Sequence, residues 1–70
     1  MKTYRLINLD AASDRTLARI RNDAADPRQG YASSLLVARM SRLTGRIDQA
    51  LKYEALAESA YKRLPEALRW

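Results

Sequence analysis

Apolar positions recur at helical spacing between residues 31 and 64, and they predict two helices joined at Thr44-Gly45. In the first of these helices, apolar residues at i, i+4, i+8 and i+11 form one stripe, with Val37 at its edge. That stripe consists of Ala32, Leu36, Met40 and Leu43. The second predicted helix carries these large apolar residues: Ile47, Leu51, Tyr53, Leu56, Tyr61 and Leu64. This hairpin holds nearly all the large apolar side chains, so we expect it to supply most of the core.

A narrower apolar stripe predicts a shorter helix upstream of the hairpin. Ser13, Leu17, Ile20 and Ala24 fall at i, i+4, i+7 and i+11, and either Asp10 or Ser13 can accept a free N–H at its start. The Asp26-Pro27 pair is expected to stop it, because the residue before proline avoids helical geometry. The three predicted helices cover roughly residues 12–25, 31–44 and 46–64, with a turn at residues 27–30.

Residues 2–9 have a β-favouring composition, with Thr3, Tyr4 and Ile7 among them. No second strand is predicted in the chain, so this segment either pairs with a second copy or a partner's sheet edge, or stays irregular. The prediction for the fold is therefore one domain of residues 1–70, all-α or nearly so. In it, residues 1–9 are an extended segment and residues 10–70 form a three-helix domain centred on the helical hairpin.

The chain contains no cysteine and no histidine, which excludes several kinds of chemistry. Disulfides and the usual zinc ligands are missing, as are the commonest catalytic base and the thiol nucleophile. Glu54 and Glu58 are the nearest approach to paired catalytic carboxylates, and salt bridges are the more ordinary role for them. We therefore expect a non-enzymatic protein with no cofactor and no metal.

No apolar run approaches the length of a membrane span, and the residues after Met1-Lys2 are mixed in character. The sequence therefore predicts a soluble, cytoplasmic protein that does not bind membranes. Because a chain of 70 residues has a thin core, a homodimer or a complex with another macromolecule is an open alternative to a monomer.

The net charge is +5, and the excess of positive charge lies entirely before Ile47. Arginine outnumbers lysine, and arginine binds phosphate and carboxylate groups through a planar fork. A genome that favours arginine codons would give the same excess without any anion-binding surface. We predict that the partner-binding residues are Lys2, Tyr4, Arg5, Arg15, Arg19, Arg28, Arg39 and Arg42. The alternative is that Asp23 pairs with Arg19, and that Glu54 and Glu58 pair with Arg39 or Arg42, which leaves little free positive charge.

Residues 2–44 resemble ribbon-helix-helix repressors in their order of a short strand, a helix capped near Asp10, a turn and a second helix. That resemblance implies a dimer whose paired strands lie in the DNA major groove. One of two alternating sets would then face the bases, either Lys2, Tyr4, Leu6 and Asn8 or Thr3, Arg5 and Ile7.

The chain is also similar in kind to the tiny, arginine-rich proteins with which bacteriophages redirect host RNA polymerase. This likeness implies a small basic regulator of transcription that binds the polymerase machinery and alters its activity. It is our leading expectation, ahead of a dimeric DNA-binding repressor and of an assembly factor with no nucleic-acid role.

Overall fold

Three α-helices form the body of the protein, and they confirm the predicted all-α class. They are α1 (Asp14–Arg21), α2 (Gln29–Leu43) and α3 (Ile47–Lys62). Short 3-10 turns lie on either side, at Leu9–Ala11 and Glu66–Leu68. The structure is a computed structural model that describes residues 3–70, and this part of the chain contains no strand.

α1 begins where the sequence predicts but ends several residues early. The side chain of Ser13 caps it by accepting the Thr16 N–H at 3.2 Å, and Asp14 lies in the first turn. The helix ends at Arg21, since Asp23 folds its carboxylate back onto the Ala25 N–H at 3.1 Å. Such a local bond competes with the helical ladder, so the chain turns before proline is reached.

The turn between α2 and α3 is set by Gly45, as predicted. Gly45 has a φ of 77°, which is costly for a residue with a Cβ atom. Its N–H donates to the Arg42 carbonyl at 3.2 Å, and the Arg46 N–H donates to the Ser41 carbonyl at 2.8 Å. This pair of bonds is the Schellman arrangement, which satisfies carbonyls at the helix end.

The core is smaller and richer in alanine than the sequence suggests. The central cluster of buried side chains consists of Leu9, Leu17, Ile20, Tyr31, Ala32 and Ala57. α2 packs against both other helices. Further along α2 and α3, the buried residues are Ala38, Ser41 and Ala50, whose small side chains allow the two helices to approach closely.

The predicted core stripe of α2 is wrong in its outer half. Met40 is 62% exposed and Leu43 is 81% exposed, while Leu36 is half-buried. α3 packs on the opposite face, where Ala38 and Ser41 are buried. α1 cannot cover the remaining face, because its eight residues span about 12 Å against about 22 Å for α2.

Three large apolar residues of α3 are also exposed, in contrast to the prediction. Ile47, Leu51 and Leu56 lie on the outside, whereas Ala50 and Ala57 face inward. Among the described helices, α3 packs mainly against α2, so a helix covers chiefly one face of it. The hairpin therefore does not supply the core by itself, and residues 7–20 contribute a large share.

The N-terminal segment packs against its own chain. Leu9 is fully buried, Ile7 packs against the core cluster, and the Arg5 carbonyl accepts a hydrogen bond from Arg28 at 3.1 Å. Residues 3–8 thus lie on the protein without forming a strand within this chain.

Candidate functional site

A groove of about 530 Å³ lies between the N-terminal segment, α1 and the residue before α2. Its lining residues are Arg5, Ile7, Asn8, Ala12, Thr16, Arg19, Ile20 and Arg28. Three of these, Arg5, Arg19 and Arg28, belong to the predicted binding set. No carboxylate is among the described residues that line it, so the groove has the character of an anion-binding surface.

Local structure places the two exposed arginines of this groove. Asn8 accepts the Asp10 N–H at 3.0 Å, which starts the 3-10 turn that buries Leu9. Arg5 precedes that anchor and is exposed, as is Arg19 on α1. Within residues 3–70 neither Arg5 nor Arg19 forms an ion pair, so both guanidinium groups are available to a ligand.

Arg28, a predicted binding residue in the turn at residues 27–30, is buried and therefore does not present its charge to a partner. Its Nε and Nη2 atoms donate to Asp26 Oδ1 and Oδ2 at 2.9 and 2.7 Å, and its Nη1 atom donates to the Arg5 carbonyl at 3.1 Å. The guanidinium carbon also lies 5.3 Å from the centre of the Tyr4 ring. Both members of the ion pair are buried. Arg28 therefore anchors the N-terminal segment.

Arg39 is likewise occupied within the protein. Its Nη1 atom donates to the Ala12 carbonyl at 2.7 Å and to Asp14 Oδ1 at 2.8 Å, and its Nη2 atom donates to the Asp10 carbonyl at 3.1 Å. These bonds fasten the start of α1 to α2. Charge reversal of Arg39 is expected to destabilise the fold, because a glutamate there would face Asp14 and lose all three bonds.

Arg42 pairs with Glu54, as the alternative reading of the charges predicts. Arg42 Nε and Nη2 donate to Glu54 Oε2 and Oε1 at 2.5 and 2.7 Å. These hydrogen bonds lower the pKa of Glu54 and raise the pKa of Arg42. Of the other predicted binding residues, Arg15 is exposed one turn before Arg19, Tyr4 is half-buried, and Lys2 lies outside the described residues.

Sequence reasoning missed an aromatic cluster beside a second groove, of about 520 Å³. Tyr31, Tyr61 and Trp70 form it, with the Trp70 ring centre 4.8 Å from that of Tyr31 and 4.7 Å from that of Tyr61. Asp10 accepts hydrogen bonds from the Tyr31 hydroxyl and, at 3.1 Å, from Trp70 Nε1. Leu35 also lines this groove and packs against the core. The cluster joins aromatic residues from separate parts of the sequence, so no local sequence pattern predicts it.

Tyr31 gives this cluster an expected dependence on pH. Burial, with the hydrogen bond to Asp10 next, raises the pKa of Tyr31 well above its ordinary value of 10.0. The folded state then keeps a proton that the unfolded state loses, so the stabilising contribution is complete below pH 10 and declines as pH rises above it.

We expect the free energy of unfolding to fall as the pH rises above about 10, and to fall less steeply in Tyr31→Phe. Urea denaturation at several pH values measures both slopes. Equal slopes in the two proteins would contradict the assignment.

Two kinds of structural feature are absent from residues 3–70. No three or more His, Cys, Asp or Glu side chains are grouped so that they could hold a metal ion. No helix in this part of the chain is long and apolar enough to cross a membrane.

No family model, curated protein or solved structure matches the chain.

Proposed function

We propose that this protein is a small, non-enzymatic, cytoplasmic regulator of transcription that binds RNA polymerase and alters its activity. The observation that carries the proposal is the groove between the N-terminal segment and α1. It presents Arg5 and Arg19 to solvent above an apolar floor that includes Ile7 and Ile20. A carboxylate-bearing segment of a partner protein fits both features, since guanidinium groups pair with carboxylates and the floor accepts apolar side chains.

The chemistry of the exposed groups supports binding over catalysis. Arginine stays protonated in proteins and cannot exchange protons as a general acid or base. The carboxylates near the second groove are already engaged, Glu54 by Arg42 and Glu58 by Lys62. A protein with these groups can recognise charge and shape, and nothing in this arrangement activates a nucleophile.

The polymerase, a protein, is favoured over free DNA by the small number of available cations around the groove. DNA-binding proteins of ordinary affinity neutralise about six to ten phosphates. Arg5 and Arg19 line the groove, and Arg15 lies one turn away. Arg28 and Arg39 are already engaged in hydrogen bonds within the protein. Of the residues that would read bases in a ribbon-helix-helix protein, Ile7 packs here against the core cluster and Tyr4 is half-buried.

The experiment compares Arg5→Glu/Arg19→Glu with the parent in binding to purified bacterial RNA polymerase by biolayer interferometry. We expect the double variant to raise Kd by more than about tenfold, since each reversal replaces attraction with repulsion. Lys62→Glu/Arg63→Glu is the matched control, because it changes the charge equally on exposed residues outside the groove. That control should change Kd by less than about twofold.

Parallel measurements separate the alternatives. Binding to duplex DNA that weakens steeply with salt, together with little affinity for the polymerase, would indicate a DNA-binding protein. An assembly factor would bind neither target. A larger effect of the control pair than of the groove pair would place the site in the C-terminal third and contradict the proposal.

A further inference from the structure

The fold leaves the C-terminal part of one apolar face of α2 uncovered, where Met40 and Leu43 are exposed. Together with the half-buried Leu36 and Val37, they line a shallow groove of about 440 Å³. Leu36, Met40 and Leu43 recur at i, i+4 and i+7, so they lie along one side of the helix over about 10 Å. Leu36 packs against the core cluster, but Met40 and Leu43 contribute little to the core, because α3 is docked on the opposite side of α2.

The rim of this face is basic. Arg21, Arg39 and Arg46 line the same groove, and Asp14, the one carboxylate among its described lining residues, is paired with Arg39. Arg21 and Arg46 are exposed, and neither forms an ion pair within residues 3–70. An apolar stripe flanked by two free guanidinium groups therefore faces solvent.

We propose that this face docks an acidic amphipathic helix of a partner protein. Apolar side chains spaced by one helical turn on the partner would cover Met40 and Leu43, the usual way in which a helix binds an apolar groove. Carboxylates beside them would meet Arg21 and Arg46. A second copy of this chain fits less well, because a two-fold contact across the face would bring like charges of the same rim together.

This inference does not depend on RNA polymerase being the partner, and it uses a different surface from the groove of Arg5 and Arg19. α1 contributes to both surfaces, with Arg19 at the first groove and Arg21 at the rim of the second. The tests of the two proposals are therefore independent, and a negative result in one does not decide the other. Reversal of Arg5 and Arg19 tests the proposed function, whereas the changes below leave those residues intact.

The test uses the full chain and a stapled helical peptide of about three turns as the probe, with leucines along one face and glutamates on both rims. Fluorescence anisotropy measures its Kd. We expect Met40→Ser/Leu43→Ser to weaken binding by more than about tenfold, because it removes both apolar anchors. Leu51→Ser/Leu56→Ser is the matched control, since it removes two exposed leucines from α3, and it should change Kd by less than about twofold.

A second variant tests the charges without touching the apolar residues. Arg21→Glu/Arg46→Glu should weaken binding of the glutamate-rimmed peptide and strengthen binding of a lysine-rimmed version. Loss of folding would not produce this reversal. Equal binding of both peptides to the parent would overturn the proposal, as would equal loss in the α3 control. Sedimentation velocity measures the oligomeric state of the chain in the absence of peptide. A dimer that Met40→Ser/Leu43→Ser dissociates would assign the face to a second copy instead.

Discussion

Replacing Arg28 with methionine is expected to lower the free energy of unfolding by about 3–5 kcal/mol, the usual cost of removing one member of a buried ion pair. Asp26 would remain buried without the two guanidinium bonds that balance its charge. The Arg5 carbonyl would lose its partner at the same time, so residues 3–8 should detach from the helices. In a domain of this size such a loss is a large part of the total stability.

Chemical denaturation measures the free energy, and hydrogen exchange of residues 5–9 reports the release of the segment. Arg42→Met is the matched control, because it removes an arginine whose ion pair with Glu54 is at the surface, and it should change stability little. The double variant Asp26→Asn/Arg28→Met should recover part of the loss, since no unpaired charge then remains buried. A stability of Arg28→Met equal to that of Arg42→Met would show that the anchor is unimportant.

Leu17→Ala is expected to cost about 2–5 kcal/mol, as buried leucine-to-alanine changes do, because the leucine is fully buried in the central cluster and a cavity would remain. Leu56→Ala is the matched control. The sequence pattern predicts the same cost for Leu56, but its side chain is 44% exposed, and we now expect a cost of about 1 kcal/mol or less.

Urea denaturation of the two variants beside the parent decides between the two descriptions of the core. A larger loss in Leu17→Ala supports a core centred on α1, Leu9 and the start of α2. If Leu56→Ala were the more damaging change, the large apolar side chains of α3 would have to lie inside, and the arrangement described above would be wrong.

The two proposed binding surfaces explain in physical terms why so few large side chains of this protein are buried. Met40 and Leu43 in the core would have added to stability at about 25 cal/mol per Å² of apolar surface removed from water. They are exposed instead, next to unpaired arginines. Apolar surface that a small domain leaves outside is typical of a site that a partner covers.

Part of the candidate site was predictable from the sequence. Arg15 and Arg19 are opposite the buried Leu17 and Ile20, and helical spacing alone places them in solvent. Arg28 shows why the rest of the candidate site could not be predicted from the sequence. Asp26 is only two residues away, but its burial together with Arg28 depends on Tyr4 and the Arg5 carbonyl, which arrive from a distant part of the chain.

The sequence by itself determined the features that depend on neighbouring residues. These are the three helices, the turn at Gly45 and the inward face of α1, each set by spacing or by backbone preference over a few residues. Only the tertiary structure decided which face of α2 is buried. Large apolar residues at Leu36, Met40 and Leu43 predict one face, but α3 packs against the opposite face, where α2 buries Ala38 and Ser41, and α1 is too short to cover what remains. Burial depends on which neighbours are close enough to exclude water, and that is a property of the assembled helices and not of any one helix.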